Sequence, residues 1–124
     1  MTDLSESEFE DLIQLAISEL PDEILEHMNN IAITIANWPS SEELHRAGVA
    51  AGSWLFGLYE GIPLTKRSSH YGLVAPDRII LYRGPLQTVF RAPSRMREQV
   101  RRTVVHEIAH HFGIDEARIR QLGY

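Results

Sequence analysis

Val104-Val105-His106-Glu107-Ile108-Ala109-His110-His111-Phe112-Gly113 decides how this chain is read. Drawn as a helix, the stretch puts His106 and His110 on one face, close enough for both imidazoles to hold one metal ion. Two imidazoles at that spacing suit zinc, whose bonds to nitrogen are about 2.0–2.1 Å. Glu107 is rotated off the pair but beside it, where a carboxylate can take a proton from a water polarised by the ion. Gly113 stands where a helix should stop and the chain should turn. Composition alone would place His-Glu-x-x-His in a chain of this length roughly once in several hundred sequences. Two surface histidines on an amphipathic helix are the bland alternative, and a zinc hydrolase site is the stronger reading.

Upstream, Ala92-Pro93-Ser94 opens the helix, with Ser94 as the expected cap. Met96, Val100, Val104 and Ile108 fall on one i,i+4 stripe that should face the core, leaving His106 and His110 on an adjacent face toward a cleft. Downstream, a catalytic zinc needs a third protein ligand and one open position. Two carboxylates follow the Gly113 turn, Asp115 and Glu116. Asp115 has a competing role as cap of a short last helix through Ile119 and Leu122, so Glu116 is the better ligand candidate. His111 is the remaining candidate, but on an ideal helix it points about 100° away from His110. It is expected against a supporting side chain or solvent.

The rest of the chain reads as alternating short elements. Ser5 or Ser7 can cap a first helix, with Glu8 completing a capping box after Ser5. Phe9, Leu12, Ile13, Ala16, Ile17 and Leu20 then recur at helical spacing until Pro21. Asp22–Met28 reads as a second short helix, Ile31–Ala36 as a strand and Ser41–Ala51 as a helix weakened by Gly48. Leu55–Leu64, broken by Gly57, Gly61 and Pro63, reads as a short strand and a shaped loop, and the polar stretch Thr65–Gly72 as exposed. Arg78–Arg83 is a second strand, stopped by Gly84-Pro85, and Leu86–Phe90 a helical turn or an irregular crossing. Tyr59, Tyr82 and His70 are candidates for stabilising an oxyanion, each with a structural role as the simpler reading. Trp38 and Trp54 are expected in the core or at an interface. The arginines from Arg91 to Arg102 read as a solvated helix face, since Glu98 lies among them.

Composition narrows the function. A chain of 124 residues with 44% hydrophobic residues suits one domain, here taken as 1–124. A formal net charge of −5 argues against nucleic acid or an anionic membrane as the main partner. With no cysteine, any zinc must be held by histidine and carboxylate. The acidic start Met1–Glu8 lacks the apolar core of a signal peptide, so a cytoplasmic location is the default.

Residues 55–64, 76–83 and 100–113, with the closing Leu122-Gly123-Tyr124, resemble the minimal zincin-like metallopeptidase family of small bacterial proteins. The family pattern is His-Glu-x-x-His-x-x-Gly-x-x-Asp. It falls on His106, Glu107, His110 and Gly113, and its last ligand position falls on Glu116, a departure of one methylene. The resemblance implies an α+β zincin-like metallopeptidase fold, a small mixed β-sheet packed on the active-site helix. It further implies an edge strand bordering a substrate groove, assigned here to Arg78–Tyr82. No methionine follows the motif, and Tyr124 is expected to supply the floor beneath the metal.

The leading expectation is a Zn2+-dependent metallopeptidase acting on a peptide or protein substrate. Glu107 would be its general base and His106, His110 and Glu116 its metal ligands, with Tyr124, Asp115 and His111 in support. The competing expectations are a non-catalytic zincin-like module that binds a peptide or protein, and a regulatory peptidase with one protein partner. Homodimerisation is left open.

Overall fold

The computed structural model describes residues 4–50, 52–61 and 76–124. The expectations for Ile62–Leu64, Thr65–Gly72 and His70 lie outside the described residues. Helix α1 spans Glu6–Ser18, and its start is the capping box read from the sequence: Ser5 Oγ accepts from the Glu8 N–H at 3.1 Å, and the Glu8 carboxylate accepts from the Ser5 N–H at 2.9 Å. Helix α2 is one turn, Asp22–Glu26. Strand β1 is Ile31–Ala36. Helix α3, Ser41–Ala47, is shorter than the sequence suggested, because Gly48 adopts a left-handed conformation (φ 69°) and ends it.

Strands β2 (Gly57–Glu60) and β3 (Asp77–Tyr82) complete a mixed three-stranded sheet of order β1-β3-β2 among the described residues. β1 runs parallel to β3 and β2 antiparallel to it. This corrects the assignment of Arg78–Tyr82 as the edge strand: β3 is central, and β2 is the edge that meets the motif helix. Strand alternation splits β3 between two layers. Ile79 and Leu81 enter the main core, while Ile80 and Tyr82 join Leu58 on the opposite face, near Ala47 of α3.

Strand β3 does stop ahead of Gly84-Pro85, and helix α4 (Arg83–Val89) follows it directly, with both residues in its first turn. At Pro85, near the helix start, the missing N–H costs no helical bond. Helix α5, Pro93–Phe112, carries the motif, with Ala92 at the cap position and Pro93 at the first turn. Ser94 therefore sits inside the first turn and is not the cap. The stripe Met96, Val100, Val104 and Ile108 is buried, together with Val105 and Ala109. It packs against Phe9, Leu12, Ile13 and Ala16 of α1 and Ile79 and Leu81 of β3. Each fully buried apolar side chain contributes roughly 1.5–3 kcal/mol, so this α1–α5–sheet layer fixes where the motif helix lies. On the arginine face of α5, Arg101 donates to Glu19 at 3.0 Å, Arg97 lies beside the same carboxylate, and Arg102 pairs with Glu98.

At the far end of β2, Glu60 sits opposite Arg78 and accepts from it at 2.7 Å, while Arg46 of α3 reaches its other oxygen at 3.1 Å. Burial disfavours the Glu60 carboxylate, but hydrogen bonds from Arg46 and Arg78 outweigh that and hold its pKa below the ordinary value. A carboxyl group whose pKa is lowered by folding contributes stability above its unfolded pKa of about 4.3, and that stability is lost as pH falls through the folded value. Glu60→Gln is therefore expected to lower Tm at neutral pH and to flatten the fall of Tm on acidification. Thermal melts from pH 7 to pH 3 check this; parallel curves for the two proteins would contradict it.

Candidate metal centre

Helix α5 delivers His106 and His110 from adjacent turns, with ring centroids 6.0 Å apart. Gly113 then ends the helix in a left-handed conformation (φ 74°), and the Ile114 N–H bonds back to the Ala109 carbonyl at 2.9 Å. This terminating turn aims the chain back along the helix. Asp115 caps helix α6 (Glu116–Gln121) by accepting from the Arg118 N–H at 2.8 Å. Its carboxylate is thus occupied as a cap, and Glu116, at the first turn of α6, is the carboxylate that approaches the histidines. Glu116 Oε1 lies 3.8 Å from His110 Nε2. One donor atom from each of His106, His110 and Glu116 falls within 4.8 Å of the other two.

Three donors on one tetrahedral ion with bonds of about 2.0–2.1 Å would stand about 3.4 Å apart. The observed set is open by roughly an ångström against that spacing. The His110 and Glu116 side chains are 63% and 62% exposed, so they can contract without disturbing the core. Two imidazoles and one carboxylate, with no thiolate, form a donor set typical of catalytic zinc, and solvent access leaves room for the open position. The residues fit the ion.

Glu107 occupies the side of α5 that faces the sheet edge. Its Oε1 accepts the backbone N–H of Tyr59 in β2 at 2.7 Å. The edge strand thus orients the carboxylate beside the donor cluster. No side-chain pattern could have announced this partner, because it is a backbone group 48 residues away.

Behind Glu107, His111 stacks on the Tyr59 ring, with centroids 3.9 Å apart and planes 16° apart. The Tyr59 hydroxyl donates to Asp77 Oδ2 at 2.6 Å, and His111 Nε2 lies 3.8 Å from the same oxygen. His111 therefore turns away from the donor set and braces the strand that holds Glu107. Asp77 was missed in the sequence; its only local signal was its place after Pro76 at the head of a strand. Tyr59 supports the site through its backbone and ring. Tyr82 lies on the opposite face of the sheet, where burial and the Glu43 carboxylate push its phenol well above its usual range, so it takes no part in the site. Tyr124 packs against the main core beside Leu122.

The family profile of zincin-like metallopeptidases matches residues 28–124, from just before β1 to the last residue. The chain belongs to the zincin-like metallopeptidase family. The fold agrees with that membership: helices and a small mixed sheet, with a zincin-type motif on the long helix. A solved structure of a conserved hypothetical protein from Thermus thermophilus is similar in fold, with a TM-score of 0.55 and 21% identity, covering 88% of this chain and 94% of that one. Comparison with curated proteins gives no match. Helix α1 lies ahead of the zincin-like match yet supplies much of the packing under α5. No helix among the described residues is long and apolar enough to cross a membrane.

Proposed function

We propose that this zincin-like protein is a zinc-dependent peptidase, with His106, His110 and Glu116 holding the ion and Glu107 acting as general base. The observation that carries the reading is a pairing: a three-donor cluster on α5 and α6, and a carboxylate beside it oriented by the edge strand. A purely structural ion has no use for that carboxylate. When bound, zinc supplies Lewis acidity, polarising a carbonyl and acidifying a water.

The chain's own groups account for the proton movements. Glu107 takes a proton from water as the water oxygen bonds to the peptide carbon. As the C–N bond breaks, Glu107 returns the proton to the leaving nitrogen, so one water is consumed and two termini are formed. The Tyr59 N–H holds one Glu107 oxygen in place through both transfers, and the His111–Tyr59–Asp77 contacts keep the strand at its distance from α5.

The zinc-loaded protein should cleave members of a diverse peptide mixture, with cleavage abolished by a chelator and restored by zinc. Mass spectrometry of the products checks this. A loaded protein that leaves every peptide intact would make the chain a peptide- or protein-binding module instead.

A further inference from the structure

A cavity of about 330 Å³ opens directly beside His106 and Glu107, between the segment leading into β2 and the preceding turns of α5. Its shape follows from one close approach. Gly57 lies against α5 so tightly that a Cβ there would come within 2.6 Å of Thr103 Cγ2, which closes the floor. Thr103 is held by a hydrogen bond from Gln99 at 3.0 Å. One wall is Trp54, which leaves 48% of its surface exposed. That indole is braced by Trp38, with ring centroids 6.5 Å apart, and Trp38 in turn sits over Gly84, where a Cβ would overlap its ring. Arg102 at the rim is paired with Glu98 at 3.3 Å, so the rim carries no uncompensated charge to select an acidic group.

Of the two places expected for the tryptophans, core or interface, the core is excluded: both are exposed. Trp54 is an exposed aromatic wall on a pocket that shares two residues with the metal centre. We infer that this pocket sets substrate specificity: it takes a large apolar or aromatic side chain from the residue flanking the scissile bond, and Trp54 selects it. The pocket is at the small end of ligand sites, about 300–1,000 Å³, which suits one side chain rather than a whole ligand. The inference rests on the peptidase reading for its occupant, because a peptide engaged at His106 and Glu107 must pass over the pocket mouth.

Binding separates the two ideas. In zinc-loaded Glu107→Gln protein, acetyl-Ala-Phe-Ala-amide should bind at least about tenfold more tightly than acetyl-Ala-Ala-Ala-amide. NMR titration should show the Trp54 indole resonance moving with the phenylalanine peptide. Adding Trp54→Ala should reduce the preference to about threefold or less. Equal affinities for the two peptides, or a preference that survives Trp54→Ala, would overturn the inference. Cleavage by the wild type with no preference at either flanking position would also overturn it while leaving the peptidase reading intact. Selective binding lost in Trp54→Ala, with no cleavage by the wild type, would uphold the pocket and remove the peptidase reading.

Discussion

Glu107→Gln should lower peptide turnover by about 10²–10⁴-fold, the usual contribution of a positioned general base, while zinc stays bound and the fold is unchanged. The substitution is close to isosteric. A glutamine carbonyl can still accept the Tyr59 N–H that Glu107 Oε1 accepts at 2.7 Å, so the contact between edge strand and helix survives. What is lost is the capacity to take a proton. Because Glu107 is not one of the three clustered donors, zinc affinity should stay within about twofold of wild type, a change worth less than about 0.5 kcal/mol by the affinity arithmetic. Single-turnover assays of metal-loaded protein check the rate, and a competition titration checks the metal. Turnover near wild type would remove Glu107 from the chemistry. Lost zinc would mean that the residue acts on the ion and not on the proton.

Gly57→Ala is expected to couple stability to the site. The added Cβ would meet Thr103 Cγ2 at 2.6 Å and the Ile80 carbonyl oxygen and Leu81 Cδ2 each at 3.1 Å. The shortest of these contacts is to the methyl of a β-branched side chain that has little freedom to turn aside, so the strand must move away from α5. Overpacking of this kind costs about 1–3 kcal/mol, or a Tm lower by roughly 4–15 °C for a domain of this size. The movement also lengthens the Tyr59–Glu107 bond, so activity should fall with stability. Thr103→Ser removes the obstructing methyl and keeps the hydroxyl that Gln99 reaches. The double variant should recover much of both losses. An unchanged Tm in Gly57→Ala would show that the strand is not pressed against the helix.

The parts of the structure that were legible in the sequence are those whose information is local. The α5 stripe of Met96, Val100, Val104 and Ile108 repeats at helical spacing because one face is buried along its whole length. Gly113 announced its turn because only glycine adopts a left-handed conformation there at little cost. Asp115 could be separated from Glu116 because a cap position makes a specific demand on its side chain.

Long-range arrangement was not legible. Asp77–Tyr82 has the composition of a strand whether it is central or at an edge, and only the pairing of β1 and β2 on its two sides distinguishes the cases. Trp38 and Trp54 are aromatic residues whose type suits the core or an interface alike, and only the shape of the surface, which leaves them 58% and 48% exposed, excludes the core. The hold on Glu107 comes from a main-chain N–H, which every residue but proline carries and none advertises.

The zinc-binding stoichiometry and affinity of the wild type, beside those of Glu116→Ala, test the central claim most directly. The account predicts one tightly bound zinc per chain. Removing Glu116, whose carboxylate lies 3.8 Å from His110 Nε2, should weaken binding by about 100-fold or more, in keeping with the loss of a direct ligand where even outer supports are worth about 10–100-fold. No zinc uptake by the wild type, or equal affinity in the two proteins, would contradict a centre built from His106, His110 and Glu116.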